Sequence, residues 1–257
     1  MRIAVAGGTG WIGSLVVREV RERGHAPVVL ARSKGVDLLT GTGLDEALHG
    51  VTRVIDVSNT AALSLKRALA FFETATPNLL RAGQKAGVEH HVTLSIVGSD
   101  RIATGYYTAK HRQETLVHDS PVPSTVLRAT QFHEFAAQIL ARTDTGPVKL
   151  VPRMRCQPVA GSEVASALVD RALAEAVGSA PDLAGPQVLE MTDMVRRLRR
   201  ATKQRAFVIP LRLPGAAGKA MAEGELLPEE DGPRGSVTFD AWVEERAAAS
   251  AGATPAR

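Results

Sequence analysis

The segment that most constrains this chain is its start, where an apolar strand, Met1-Arg-Ile-Ala-Val-Ala6, runs directly into glycines. The glycine stretch is Gly7-Gly-Thr-Gly-Trp-Ile-Gly13, and an amphipathic segment, Ser14-Leu-Val-Val-Arg-Glu-Val20, follows it. Strand, glycine turn and helix in this order form the opening of a βαβ unit that can receive a dinucleotide pyrophosphate. Gly7 permits the tight turn, Gly10 lets the backbone approach phosphate, and Gly13 lets the helix pack closely on the strand. Thr9, Trp11 and Ile12 lie between these glycines and belong to the same candidate site. The N–H groups of the first helical turn, with the helix dipole behind them, complete the anion cradle. With 23 glycines in 257 residues a spaced triplet alone would carry little. Its place between a strand and a helix carries the reading.

At 257 residues the chain suits one large domain, or a domain with a small appendage. Its apolar runs, such as Ala68–Phe72, are too short to cross a bilayer, and the glycines interrupt any signal-peptide core. A single cysteine, Cys156, excludes an internal disulfide and fits a reducing compartment, so a cytoplasmic setting with no membrane partner is expected. Cys156 itself reads as a small buried residue. The net charge of +4 owes much to Arg196-Arg-Leu-Arg-Arg200, Lys203 and Arg205. Val195, Leu198 and Ala201 alternate with these cations at helical spacing, which reads as a solvated helix face rather than a nucleic-acid contact. The seven histidines show no ligand spacing, and no metal is expected.

Strand and helix patterns alternate through the first half: strands at Ile3–Ala6, Ala26–Ala31, Gly35–Leu39, Thr52–Val57, Glu89–Val97 and Ser124–Arg128. A helix follows the glycine turn and runs through Arg23, and others fall at Leu44–His49, Ala62–Ala86 (broken or bent near Pro77) and Tyr106–His118. This predicts an α/β fold, a Rossmann-type doubly wound parallel sheet. Residues 1–135 form the expected nucleotide-binding domain. A smaller region, 136–246, covers the substrate and is interleaved with the sheet, and 247–257 is a frayed tail. In that region helices are expected at Phe132–Arg142, Gly161–Val177 and Asp193–Thr202, with short strands at Gln187–Met191 and Arg205–Ile209. The helices at 62–86 and 106–118 offer a homodimer face.

Ligands on such sheets lie beyond the carboxyl ends of the strands, which points to Gly7, Arg32, Ser58, Ser95 and Thr130. An acidic residue about 20 positions beyond the glycines marks NAD. Here that place reads Leu30-Ala31-Arg32-Ser33-Lys34, without a carboxylate. An arginine fork grips a 2′-phosphate and the Ser33 hydroxyl adds a hydrogen bond, so NADP(H) is the expected cofactor. Asp37 and Leu38 are candidate adenine contacts.

The two tyrosines are adjacent, Tyr106 and Tyr107, and Lys110 follows the first at i+4. That spacing puts a phenol and an ammonium on one helix face. An ammonium close by lowers a phenol's pKa, fitting Tyr106 for proton transfer, and the same lysine can hold the nicotinamide ribose. Phe132 is placed to stack beside the nicotinamide. His133 and Glu134 either face substrate or begin a helix with solvated neighbours. Arg128 reads as half of a structural ion pair.

Five segments, GGTGWIG at 7–13, ARS at 31–33, LSIVGSD at 94–100, YYTAK at 106–110 and LRATQF at 127–132, together resemble the short-chain dehydrogenase/reductase superfamily. The likeness is to its atypical, NmrA-like branch of NAD(P)-binding proteins, and covers about the first 135 residues in the family's order. The resemblance implies Tyr106 as acid/base, Lys110 as its partner, and Ser95 as the hydroxyl that orients a substrate carbonyl. Ser95 precedes Tyr106 by eleven residues, a shorter interval than the enzymatic branches use, so Ser99 and Thr104 stay open for that role. The leading expectation is an NADPH-dependent oxidoreductase that passes hydride to a small carbonyl, quinone or conjugated alkene. The alternatives are a non-catalytic NADP(H)-binding sensor and an epimerase or dehydratase that recycles its nucleotide.

Overall fold

The computed structural model describes residues 1–60, 64–102, 105–141 and 146–252. The chain divides into two compact units, one of Met1–Ala129 with Ser162–Pro181, the other of Thr130–Gly161 with Asp182–Arg257. The sequence suggests a boundary at residue 135 and a later region interleaved with the sheet; the chain leaves the first unit at Ala129 and re-enters it for twenty residues.

The first unit begins with β1 (Arg2–Ala6), α1 (Trp11–Glu22), β2 (Ala26–Leu30), the single turn α2 (Leu44–Ala47), β3 (Arg53–Asp56) and α3 (Leu65–Ala86). It continues with β4 (His90–Ile96), α4 (Gly105–His118) and β5 (Ser124–Ala129). The chain then passes through the second unit's α5 (Glu134–Ala141), β6 (Val148–Pro152) and β7 (Arg155–Cys156) before α6 (Gly161–Leu173) and β8 (Gly178–Ser179). Six parallel strands form one sheet in the order β2-β1-β3-β4-β5-β8. Ile3, Ala4, Val5 and Ala6 are all fully buried, so β1 is covered on both faces, as parallel sheets require. Ala4 and Ala6 face a cluster with Leu30, Leu44, Leu48, Val54 and Leu79, and Ile3 and Val5 point the other way by the period-2 alternation. The Rossmann-type doubly wound reading holds.

Two local expectations do not. Gly35–Leu39 is a turn rather than a strand. A 3-10 turn at Arg32–Lys34 ends on Gly35 at φ +78°, and Asp37 then bonds the Leu39 N–H. β2 is consequently the edge of the sheet. Helix α3 runs unbroken through Pro77 because its buried face, with Phe72, Ala75, Thr76, Leu79 and Leu80, outweighs one missing N–H.

The second unit also holds β9 (Leu189–Glu190), α7 (Met191–Ala201), β10 (Phe207–Leu211), α8 (Gly215–Glu223) and α9 (Phe239–Gly252). β6 and β10 pair in parallel, and β7 and β9 pair antiparallel. Residues 247–252, expected to fray, continue α9, and the rest of that tail lies outside the described residues. Cys156 is buried, its thiol pushed up to about 12 by burial. The basic run is the outer face of α7, whose Met191, Met194, Val195 and Leu198 are buried.

Candidate functional site

The sheet order reverses direction between β1 and β3, the switch point beside which α/β proteins bind ligands. Gly7 sits there at φ +77°, and a Cβ on it would lie 2.9 Å from the Ser58 Cα, just past β3. The loop after β1 is thus pressed onto the loop after β3. A Cβ on Gly13 would meet the Gly7 carbonyl oxygen at 2.1 Å, so α1 rests directly on the turn. Gly10, the N-cap of α1, brings no side chain to the N-terminal N–H groups of the helix. These are the features a pyrophosphate cradle needs: helix-end N–H groups and a surface that any side chain would fill.

Ser58 is buried, and its N–H donates to Asp56 Oδ1 at 2.9 Å. The other Asp56 oxygen accepts from Gln113 Nε2 at 3.0 Å. Gln113 lies three residues beyond Lys110 on α4, and its side-chain oxygen accepts from the Lys110 ammonium. Lys110 Nζ also donates to the Leu94 carbonyl at 2.6 Å and lies 5.0 Å above the Phe72 ring. Burial lowers the Lys110 pKa to about 8, against the opposing charges of Asp56 and Glu114. A buried chain of polar groups therefore runs from the α4 lysine to the backbone beside Gly7.

Tyr106 takes a different partner. Its hydroxyl donates to Asn59 Oδ1 at 2.8 Å, and its ring lies 6.2 Å from that of Phe72. Burial pushes the phenol above its ordinary value, with the Asn59 bond working the other way. The expected lowering by Lys110 is absent, because the ammonium is committed to Leu94 and Gln113. Helical spacing places the pair on one face, and the tips diverge to separate acceptors.

The serines belong to another cluster. Ser99 Oγ donates to Glu114 Oε1 at 3.0 Å, and the buried Ser95 hydroxyl faces the same carboxylate just short of hydrogen-bond geometry. Arg128 forks onto both Glu114 oxygens at 3.1 and 2.6 Å and reaches Asp100 at 2.8 Å. Burial alone would raise the Glu114 pKa, yet Arg128 and the serines bring it below the ordinary range. Arg128 is the structural ion pair the sequence suggests, and Thr104 lies outside the described residues.

Arg32 and Ser33 are exposed at the carboxyl end of β2, and Arg32 makes no ion pair among the described residues. Phe132 belongs to the second unit, where it bridges to Val159. His133 is fully buried there, 5.5 Å from the Phe239 ring and 5.9 Å from that of Trp242, and Glu134 accepts from Trp242 Nε1. The substrate-facing option for His133 and Glu134 gives way to packing. The sequence reading did not single out Asp56, Asn59, Gln113 and Glu114. Gln113 and Glu114 were accessible through helical spacing from Tyr106 and Lys110. Asp56 was signalled by an acid ending an apolar strand.

Residues 3–127 match the model of the NAD-dependent epimerase/dehydratase family. The photosystem II assembly factor Ycf39 of Synechocystis sp. is 33% identical over 111 residues, 38% of this chain and 34% of that protein. The chloroplastic divinyl chlorophyllide a 8-vinyl-reductase of Cucumis sativus is 26% identical over 208 residues, 67% of this chain and 50% of that protein. The matches thus span about a third to a half of these relatives' length. Among solved structures, MoeE5 with UDP-glucuronic acid and NAD superposes with a TM-score of 0.76 at 16% identity, covering 99% of this chain and 100% of that one. The Escherichia coli NADPH-dependent quinone oxidoreductase QOR2, complexed with NADPH, gives 0.71 at 19% identity, covering 95% and 99%. At these identities the likeness is one of fold.

Proposed function

We propose, from the match of residues 3–127 to the NAD-dependent epimerase/dehydratase family model and from the likeness of fold to an NADPH-dependent quinone oxidoreductase, that this chain is an NADPH-dependent oxidoreductase. Its substrate class is a small carbonyl, quinone or conjugated alkene. One observation carries the reading: the Tyr106 hydroxyl is held by Asn59, the residue after the Ser58 that abuts Gly7. That bond ties Tyr106, the acid/base candidate, to the loop beside the glycine cradle.

The residues present fit a nicotinamide dinucleotide. Gly7, Gly10 and Gly13 leave the room its pyrophosphate needs, Arg32 and Ser33 would take a 2′-phosphate, and Ser58 would line the approach. The reduced nicotinamide supplies the hydride. Tyr106 supplies the proton: a phenol raised by burial is fully protonated at neutral pH and acts as a donor, with Asn59 orienting it. Lys110 spends two of its three donors on Leu94 and Gln113, which leaves one for a ribose hydroxyl. Ser95 stays as the candidate for orienting a carbonyl. Its place near the carboxyl end of β4, at the ligand edge of the sheet, supports it.

The test is NADPH oxidation with a panel of quinones and ketones, run beside Tyr106→Phe. A positioned proton donor is worth about 10²–10⁴ in rate. The variant is expected to lose turnover on that scale while binding NADPH as before; equal turnover would sink the assignment. A second reading, an NADP(H)-binding protein without turnover, draws on the separate partners of Tyr106 and Lys110 and on the likeness to an assembly factor. Tight NADPH binding with no oxidation across the panel would favour it. An epimerase or dehydratase would leave NADPH unconsumed while converting substrate.

A further inference from the structure

In the β6–β10 pair of the second unit, register sets Phe207 beside Val148, Ile209 beside Leu150, and Leu211 beside Pro152. Paired residues in a sheet project to the same side. That side faces solvent: Phe207 is 71% exposed, Leu150 48% and Ile209 46%, with Leu211 and Leu213 also exposed. The alternate residues Lys149 and Val151 are buried. Contiguous aliphatic side chains with no polar atom among them mark an interaction surface.

The chain segment that carries β10 is one-sided in charge, although Arg212 at its end shares a pocket with Glu190, Asp193 and Glu223. From Met194 to Ala222 the chain carries eight cations, Arg196, Arg197, Arg199, Arg200, Lys203, Arg205, Arg212 and Lys219, and no acid. Arg196, Arg197 and Lys219 pair with Asp193, Asp240 and Glu223. Arg200, Lys203, Arg205 and Arg212 are exposed and have no ion pair among the described residues. Lys203 and Arg205 lie just before β10, and Arg212 just after it. A second copy of this chain seated on this face would bring cation against cation. A nucleic acid would match the charge but not the aliphatic centre, since base binding relies on stacked rings and Phe207 is the only one on the strands. An anionic lipid surface matches both, acyl boundary to the side chains and headgroups to the rim.

We propose that the exposed β6–β10 face, with its cationic ends, seats this protein peripherally on membranes rich in anionic lipid. No described helix is long and apolar enough to cross a membrane, so the contact is with one leaflet. It is independent of the nucleotide reading.

The test is sedimentation of the full chain with phosphatidylcholine vesicles, with and without 30 mol% (an order-of-magnitude physiological share, ~30%) phosphatidylglycerol. Binding is expected with the anionic vesicles and to fade as salt rises. Leu150→Ser with Ile209→Ser, and separately Lys203→Glu with Arg205→Glu, should each weaken it about tenfold or more. Both pairs are exposed and lie outside the nucleotide site, so melting temperature and NADPH affinity should be unchanged. No sedimentation with anionic vesicles, or binding indifferent to both pairs, would overturn the proposal. A solution dimer that the Leu150→Ser, Ile209→Ser variant dissociates would do so too, giving the face to a second copy.

Discussion

Arg32 and Ser33 emerge from the end of β2 in a single 3-10 turn that Gly35 closes in the left-handed conformation. The guanidinium is exposed and makes no ion pair among the described residues, so gripping a phosphate breaks none of the ion pairs seen there. Charge-assisted hydrogen bonds are worth roughly 1.5–3 kcal/mol each, or about 10- to 100-fold in affinity. Arg32→Ala should therefore weaken NADPH binding by that factor and leave NADH binding nearly unchanged. Titrations by nucleotide fluorescence would check it, and an equal loss for both nucleotides would remove Arg32 from the 2′-phosphate. At this scale the sequence was informative wherever covalent constraint decides the outcome, as at Gly7 and Gly13. It was silent on Asn59, whose role depends on a partner 47 residues away.

Helix α4 carries more polar work than its spacing suggests. Tyr106, Lys110, Gln113 and Glu114 serve three networks, to Asn59, to Asp56 and to Arg128. Periodicity locates the face of a helix but not how its side chains divide among acceptors, so the Tyr106–Lys110 relation read differently in sequence and in structure. The buried lysine has a measurable signature. An unfolded lysine titrates near ~10.4, against about 8 here. Between these values the unfolded chain still holds a proton that the folded chain has released, so stability rises with pH across that window. Below it both states are charged and the burial cost, at most about 3 kcal/mol, is fully present. Compared with Lys110→Met, the wild type should gain stability from pH 8 to pH 10 in urea unfolding. Parallel curves for the two would show that the ammonium is not buried.

For the molecule as a whole, the first unit was legible because its strands and helices alternate locally and each buries an apolar face. The second was less so. Its strand pairs join residues far apart, such as Phe207 with Val148 and Cys156 with Leu189, and two of the strands are only two residues long. Interleaving of the later region with the sheet was expected, but local patterns did not single out 162–181 as the segment that returns to the first unit. That segment buries Val164, Leu168, Val169 and Ala172, bonds Arg23 through Asp170 and His90 through Ala174, and pairs β8 with β5. Each large side chain fully buried contributes roughly 1.5–3 kcal/mol. A fragment ending at residue 150 is therefore expected to lack a cooperative thermal melt by circular dichroism; a sharp melt would show that the N-terminal strands need nothing beyond β5. The late β8 also sets an order of events during synthesis. Ser58 leaves the ribosome long before Ser179, by roughly 6–24 s at common elongation rates. During that interval the nucleotide cradle is complete in sequence, but the sheet behind it lacks its last strand. The newborn chain must wait for its own distant middle before the opening glycines have a finished scaffold.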